Sequence, residues 1–140
     1  MKRKYFLVIL FLILAIFLSG CVGGIVTPAT SEVKVKSIIQ DYWLSLSNRQ
    51  YELAKSYCIV NGKYYFMVEE YQDMPYIGSS TFTFEPYFNY IEINGNNATA
   101  NVDLKLTATV CFGDICSSES ETIYNWSMHL TEISGGWKLM

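Results

Sequence analysis

The sequence predicts an α+β domain, with two or three N-terminal helices packed on one face of a curved, mostly antiparallel sheet. Three observations predict it. Apolar residues recur at three- and four-residue spacing between Val35 and Leu46, and at two-residue spacing from about Thr81 onward. Every helical segment precedes every strand segment, an order that segregates helices from the sheet instead of building βαβ units. The strand segments are divided by Asn94-Gly95-Asn96-Asn97 and Gly135-Gly136, which suit tight hairpin connections.

The first element is not part of that domain. Lys2, Arg3 and Lys4 form a positive head, and Tyr5 to Leu18 follows as 14 uncharged residues rich in Leu, Ile and Phe. A charged head, a short apolar core and small residues before a cleavage point define a secretory signal. Here the point is Leu18-Ser19-Gly20-Cys21, which resembles the lipobox of prokaryotic lipoproteins. The resemblance implies that residues 1–20 are removed and that Cys21 carries the lipid. The alternative is an uncleaved anchor, because an apolar run of about 20 residues can span a bilayer as a helix. Gly20, Gly23 and Gly24 argue mildly against a continuous helix. Both readings place the rest of the chain on the extracytoplasmic face of the cell membrane, with the positive head inside.

Residues 21–30, with Gly23, Gly24 and Pro28, read as a tether, and residues 31–140 as a single domain. Three of the 10 basic residues leave with the signal, so seven face 13 acidic ones and the mature charge is −6. An acidic domain excludes nucleic acid as a natural partner. It also excludes binding of an anionic membrane through the domain's own side chains.

Ser31 suits a helix N-cap, with Glu32 in the first turn. Val35, Ile38, Ile39, Tyr42, Trp43 and Leu46 then form the apolar stripe of an amphipathic helix of about 16 residues. Asn48-Arg49-Gln50 breaks it. Tyr51 to Cys58 reads as a second, shorter helix with Leu53, Ala54, Tyr57 and Cys58 on one side, ended by Asn61-Gly62. Residues 63–73 show no clear period, but Glu69 and Glu70 favour a third helix. Met74 to Ser80, with Pro75 and Gly78, reads as loop.

Phe82 and Phe84 open the strand region, and Pro86 marks an edge or a bulge. Tyr87 to Ile93 continues as strand. Ala98 to Val110 alternates apolar and polar residues without a fault, as in an antiparallel sheet with one wet face. A following strand carries Tyr124, Trp126, Met128 and Leu130 inward, and Trp137-Lys138-Leu139 begins a last short one. If Cys111 faces Cys116, even-numbered residues of one strand oppose odd-numbered residues of the next. Yet the inward residues of both strands are even-numbered. A one-residue slip exchanges the faces, so a β-bulge is expected between Ser117 and Ile123. Unbroken pairing over that interval would mean that the cysteines are not opposite.

Cysteine usage fits an oxidising compartment. With Cys21 given to lipid, Cys111 and Cys116 flank a four-residue loop, Phe112-Gly113-Asp114-Ile115, and are the expected disulfide. Cys58 is left over, as a small buried hydrophobe on a helix. With a single histidine, His129, and no second cysteine pair, no metal site and no cofactor are expected.

Several segments together resemble the nuclear-transport-factor-2-like superfamily. They are Ile38-Ile39-Gln40-Asp41-Tyr42-Trp43, Tyr51-Glu52-Leu53-Ala54, the hairpin from Ile93 to Val102, and Gly135-Gly136-Trp137-Lys138-Leu139. The resemblance spans about residues 31–140. It implies a cone-like fold, with the helices covering a curved sheet and a pocket at the wide end. Tyr42, Trp43, Tyr124, Trp126 and Trp137 are the expected pocket-lining residues.

Enzymes of that superfamily, such as ketosteroid isomerases and polyketide cyclases, place acid/base groups inside the cone. Asp103 falls on the polar face of its strand, Glu92 is out of phase with Ile91 and Ile93, and Glu119 and Glu121 sit in a Ser/Glu-rich segment. Asp41, at the border of the first stripe, is the nearest candidate. His129 shares the outward phase of Asn125 and Ser127. No catalytic residue is therefore assigned. Asn97-Ala98-Thr99 and Asn125-Trp126-Ser127 fit the glycosylation pattern. The expected function is a surface-tethered, noncatalytic binding or accessory module for an apolar small molecule or a protein. A small pocket enzyme of isomerase or cyclase type and a structural homodimeric subunit are the alternatives.

Overall fold

The computed structural model describes residues 28–74 and 79–140. The expected signal peptide, Cys21 and most of the tether lie outside the described residues, as does the centre of the loop expected over Met74–Ser80. Among the described residues no helix is long and apolar enough to cross a membrane.

Helix α1, Pro28–Ser47, starts earlier than the sequence suggested, so Ser31 lies within it and does not cap it. Proline suits a first helical turn, where its missing N–H and fixed φ cost nothing. The predicted stripe is the buried face: Val35, Ile39, Tyr42, Trp43 and Leu46 are core residues and Ile38 packs beside them. Ser47 Oγ accepts the amide of Phe84 at 3.0 Å, which ties the end of the helix to the sheet.

Helix α2 is only Tyr51–Ser56, shorter than expected, and Leu53 is exposed on it. Cys58 is buried but lies past the helix, in a bridge to Leu139. The Leu139 amide bonds the Tyr57 carbonyl (2.9 Å), and the Ile59 amide bonds the Leu139 carbonyl (2.7 Å), so strand-like pairing captures the chain there. Helix α3, Lys63–Gln72, buries Tyr64 and Val68.

Strands β1 (Ser79–Asn94), β2 (Asn97–Phe112), β3 (Ile115–Ile133) and β4 (Gly136–Leu139) form one antiparallel sheet in sequence order. The sheet curls strongly, as a half-barrel around the three helices. Ser79 and Ser80 belong to β1, not to the preceding loop. Pro86 pairs within β1 without a break, because an edge strand has a side on which no donor is required. The two-residue turns use left-handed backbone where needed, at Gly95 (φ 59°) and at Ser134 and Gly135 (φ 52° and 81°).

Two bulges set the faces. In β1 the register shifts at Asn89, so Phe84 and Phe88 before it share the inner face with Ile91 and Ile93 after it. In β3 the expected bulge exists, but it lies just beyond the expected interval. Cys111 faces Cys116 and pairing runs unbroken to Leu104–Ile123, then resumes at Val102–Trp126. The expectation that unbroken pairing from Ser117 to Ile123 would separate the cysteines is thus corrected. The inward phase of β3 begins only at Trp126, so the slip can wait until Tyr124 and Asn125. Tyr124 is in consequence 70% exposed and not inward.

Asp103 lies opposite that slip and holds both bulges. Its Oδ1 accepts Asn89 Nδ2 (2.9 Å) and the Asn125 amide (2.9 Å), while Asn89 Nδ2 also donates to Asn101 Oδ1 at 2.8 Å. Asn125 takes φ 56°, a conformation that asparagine tolerates better than most residues.

Candidate functional site

The interior of the curl is filled from both sides. Tyr42, Trp43 and Tyr64 come from the helices, Ala100, Val102, Leu104, Met128 and Leu130 from the sheet, and Trp137 and Leu139 from β4. Burial forces the polar ends of these rings to find partners. Tyr42 Oη donates to the Tyr64 carbonyl (3.2 Å), Trp126 Nε1 donates to Tyr64 Oη (3.2 Å), and Tyr64 Oη donates to the Ser127 carbonyl (3.4 Å). Burial pushes the Tyr64 hydroxyl up to about 12, against the Trp126 hydrogen bond, and raises Tyr42 further still. Both remain neutral phenols at physiological pH.

Where the sheet outruns the helices the filling stops, and a cavity of about 240 Å³ opens between the end of α3 and the inner face. Its deep wall is Trp43, Phe84 and Leu104, all buried. Trp43 packs 5.1 Å from Phe84 and edge-on at 5.8 Å to Trp126, and Tyr71 stands edge-on to Phe84 at 5.2 Å. The outer wall is Met67, Met74, Leu106 and Ile123, and among the described residues the exposed Glu70 is the one charged residue in the lining. Trp43 Nε1 is buried with no hydrogen-bond partner among the described residues.

Trp43 and Trp126 therefore line the cavity, whereas Tyr42 and Trp137 belong to the solid core and Tyr124 points away from it. Met67, Tyr71 and Met74 were missed. Met67 and Tyr71, four residues apart, share one face of α3, and Met74 follows just past its end. Cys111 and Cys116 form a disulfide at the far tip of the β2–β3 hairpin, remote from this wall. Cys21 lies outside the described residues.

Asp41, Glu92, Glu119 and Glu121 stay outside the core. Asp41 is partly exposed and accepts the Ser37 hydroxyl at 3.1 Å; Glu92, Glu119 and Glu121 are exposed. The buried polar residues among those described are Ser45, Ser80 and Asn101. His129 is exposed, 3.2 Å from Thr99 Oγ1, and with Lys63, Asn97 and Ser127 lines a second cavity of about 350 Å³. Among the described residues no group of three His, Cys, Asp or Glu could hold a metal ion.

No protein-family model matches the chain, and no curated protein matches it. Among solved structures it is similar to a conserved protein from Planctomyces limnophilus DSM 3776. The TM-score is 0.60 at 12% identity, over 79% of this chain and 91% of that one. At that identity the likeness shows the fold alone: helices on a curled antiparallel sheet.

Proposed function

We propose that the chain is a lipoprotein of the extracytoplasmic membrane face, carrying a noncatalytic, nuclear-transport-factor-2-like binding module whose cavity takes a small apolar ligand. The observation that carries the reading is the cavity wall: among the described residues it is aromatic and aliphatic, with a single charge, Glu70. Ligand sites are concave and mostly apolar with few polar groups, and this cavity has that composition. An apolar cavity of about 150 Å³ accommodates one benzene ring, so 240 Å³ suits a two-ring molecule. The lipobox-like Leu18-Ser19-Gly20-Cys21 and the spacer that follows support the anchored placement. The carboxylates lie away from the wall except for exposed Glu70, which favours binding over acid/base chemistry.

The chain has 3 tryptophans, so labelling them with ¹⁵N gives three indole signals in the full chain held in detergent micelles. Adding tetralin, a two-ring hydrocarbon, should move the signals of Trp43 and Trp126 and leave that of Trp137 in place. Equal movement of all three, or of none, would sink the cavity reading. Mass spectrometry of membrane-extracted protein tests the anchor. A lipid-bearing N-terminal Cys21 is expected, and an intact Met1 would overturn it in favour of a spanning helix.

A further inference from the structure

Helix α3 presents one glutamate among the apolar residues that it turns to the cavity. Met67, Glu70 and Tyr71 stand at i, i+3 and i+4, a spacing that puts all three on one face of the helix, and all three line the cavity. Glu70 thus stands on the cavity side of α3, and its exposure places it at the mouth. The preceding acid, Glu69, lies on a different face and meets Lys55 at 3.6 Å. Among the described residues Glu70 has no such partner: Lys55 also reaches Glu52 (3.6 Å), and Lys105 reaches Glu85 (3.2 Å). Nor does any Lys, Arg or His among the described residues line this cavity. An apolar wall therefore ends in a single unanswered carboxylate.

Resting on the cavity reading above, we infer that the ligand is a small organic cation, with a two-ring body against the wall and an ammonium-type head held at the mouth by Glu70. The two parts of the site ask for different chemistry. The wall offers apolar burial and dispersion contacts to the body. The mouth offers a negative charge in contact with water, where a positive head keeps its hydration and still gains Coulomb attraction. An amphipathic cation meets both demands, as a lysine does when its stem is covered and its ammonium stays wet. A carboxylate on the same body would meet Glu70 as a like charge, with no cation in the lining to offset it. A neutral body fills the wall and gains nothing from Glu70. The chain's formal net charge of −3 draws the same sign of ligand from solution.

The test uses the ¹⁵N-tryptophan-labelled full chain in micelles of a non-ionic detergent. Three probes share one body: 2-aminotetralin, which is protonated at about pH 7, 2-tetralol and tetralin-2-carboxylate. Each probe is compared with itself on the wild-type and Glu70→Gln chains, which cancels differences in solubility and micelle uptake. Glu70→Gln should weaken the amine about threefold, the effect of one exposed charge pair, strengthen the carboxylate by a similar factor and leave the alcohol unchanged. Raising the salt from about 0.02 M to about 0.5 M should erase the difference between the two chains for the amine. Glu69→Gln, which removes a charge already paired with Lys55, should change none of the three affinities. If the amine binds wild-type and Glu70→Gln chains equally, or if Glu69→Gln acts as strongly as Glu70→Gln, the cation inference fails while the cavity reading stands. If no probe, tetralin included, separates Trp43 and Trp126 from Trp137, the cavity reading fails and takes the inference with it.

Discussion

Strand β2 runs through two different environments with one sequence pattern. From Ala98 to Leu104 its even-numbered residues are buried beneath the helices, opposite Leu130, Met128, Trp126 and Ile123. From Leu106 to Val110 the same alternation continues, but its partners are Glu121, Glu119 and Ser117, and burial is only partial. Element lengths explain part of the difference. A strand of 16 residues spans about 53 Å, whereas α1, with 20 residues, spans about 30 Å. The sheet therefore outreaches its cover and leaves an arm, tipped by exposed Phe112 and Ile115. The cavity sits at the boundary. An apolar alternation in one strand shows which face could be buried; the partner strand and the helices decide how much of it is.

The largest expected effect isolates that boundary with one substitution made twice. Leu104 and Leu106 are neighbours on the same face of β2, one 2% exposed and the other half-buried. Leu104→Ala should cost about 3 kcal/mol, the middle of the range for emptying a core position. Leu106→Ala should cost about 1 kcal/mol, because the arm has less packing to lose. Urea denaturation of the full chain in detergent, followed by tryptophan fluorescence, measures both. Equal losses would mean that the arm is as much core as the covered half.

Alkali attacks the two regions unequally. Burial raises the Cys58 thiol from near 9.0 to about 12 and the Tyr64 hydroxyl from 10.0 to about 12, and both belong to the covered half. A folded pKa above the unfolded one gives stability that is complete below the unfolded value and is lost as pH climbs toward the folded value. Stability should therefore hold to about pH 9 and fall by on the order of 2 kcal/mol by pH 10.5. Cys58→Ala should shift the onset upward by about one unit, since Tyr64 then sets it. A thermal midpoint that is level to pH 11 would contradict the burial of both groups.

Asp103→Ala tests the joint between the regions. It removes the acceptor that serves Asn89 and the Asn125 amide, and should cost about 1–2 kcal/mol. Hydrogen exchange at the Asn125 amide should quicken well beyond that of amides near Met128. If exchange there is unchanged, the β3 bulge is held by β2–β3 pairing alone.

Much of this arrangement was legible in the sequence, and the failures have physical causes. Parity between β2 and β3 required a bulge, and a bulge is there; only its place was wrong, because Ser117 to Ile123 has no apolar phase to preserve. The same parity test applies to β1, where Phe82 and Phe84 are even and Ile91 and Ile93 odd, and it locates the second slip near Asn89. The helix ends were less legible. Backbone pairing of Tyr57 and Ile59 with Leu139, 82 and 80 positions away, ends α2 early, and no local pattern encodes a partner that distant. The cavity was half legible: two of its aromatic residues carried an inward phase, but α3 supplies the opposite wall through a period that its unbroken apolar and aromatic run from Tyr64 to Val68 concealed.

The smallest expected effect concerns the tip. The Cys111–Cys116 disulfide closes a loop of sequence separation 5 between residues that already face each other in register. A cross-link stabilises mainly by limiting the unfolded chain, and short loops gain least. This one also lies in the region with the fewest buried contacts, which can open without unfolding the core. Replacing both cysteines by serine should therefore lower global stability by less than the roughly 2 kcal/mol that loop entropy alone gives for so short a loop. Hydrogen exchange should report the change locally, with faster exchange from Thr109 to Ser118 and none at Ala100 or Met128. A global loss above about 2 kcal/mol would overturn the separation of arm and core. It would mean that the tip restrains the curl itself, and through the curl the mouth of the cavity.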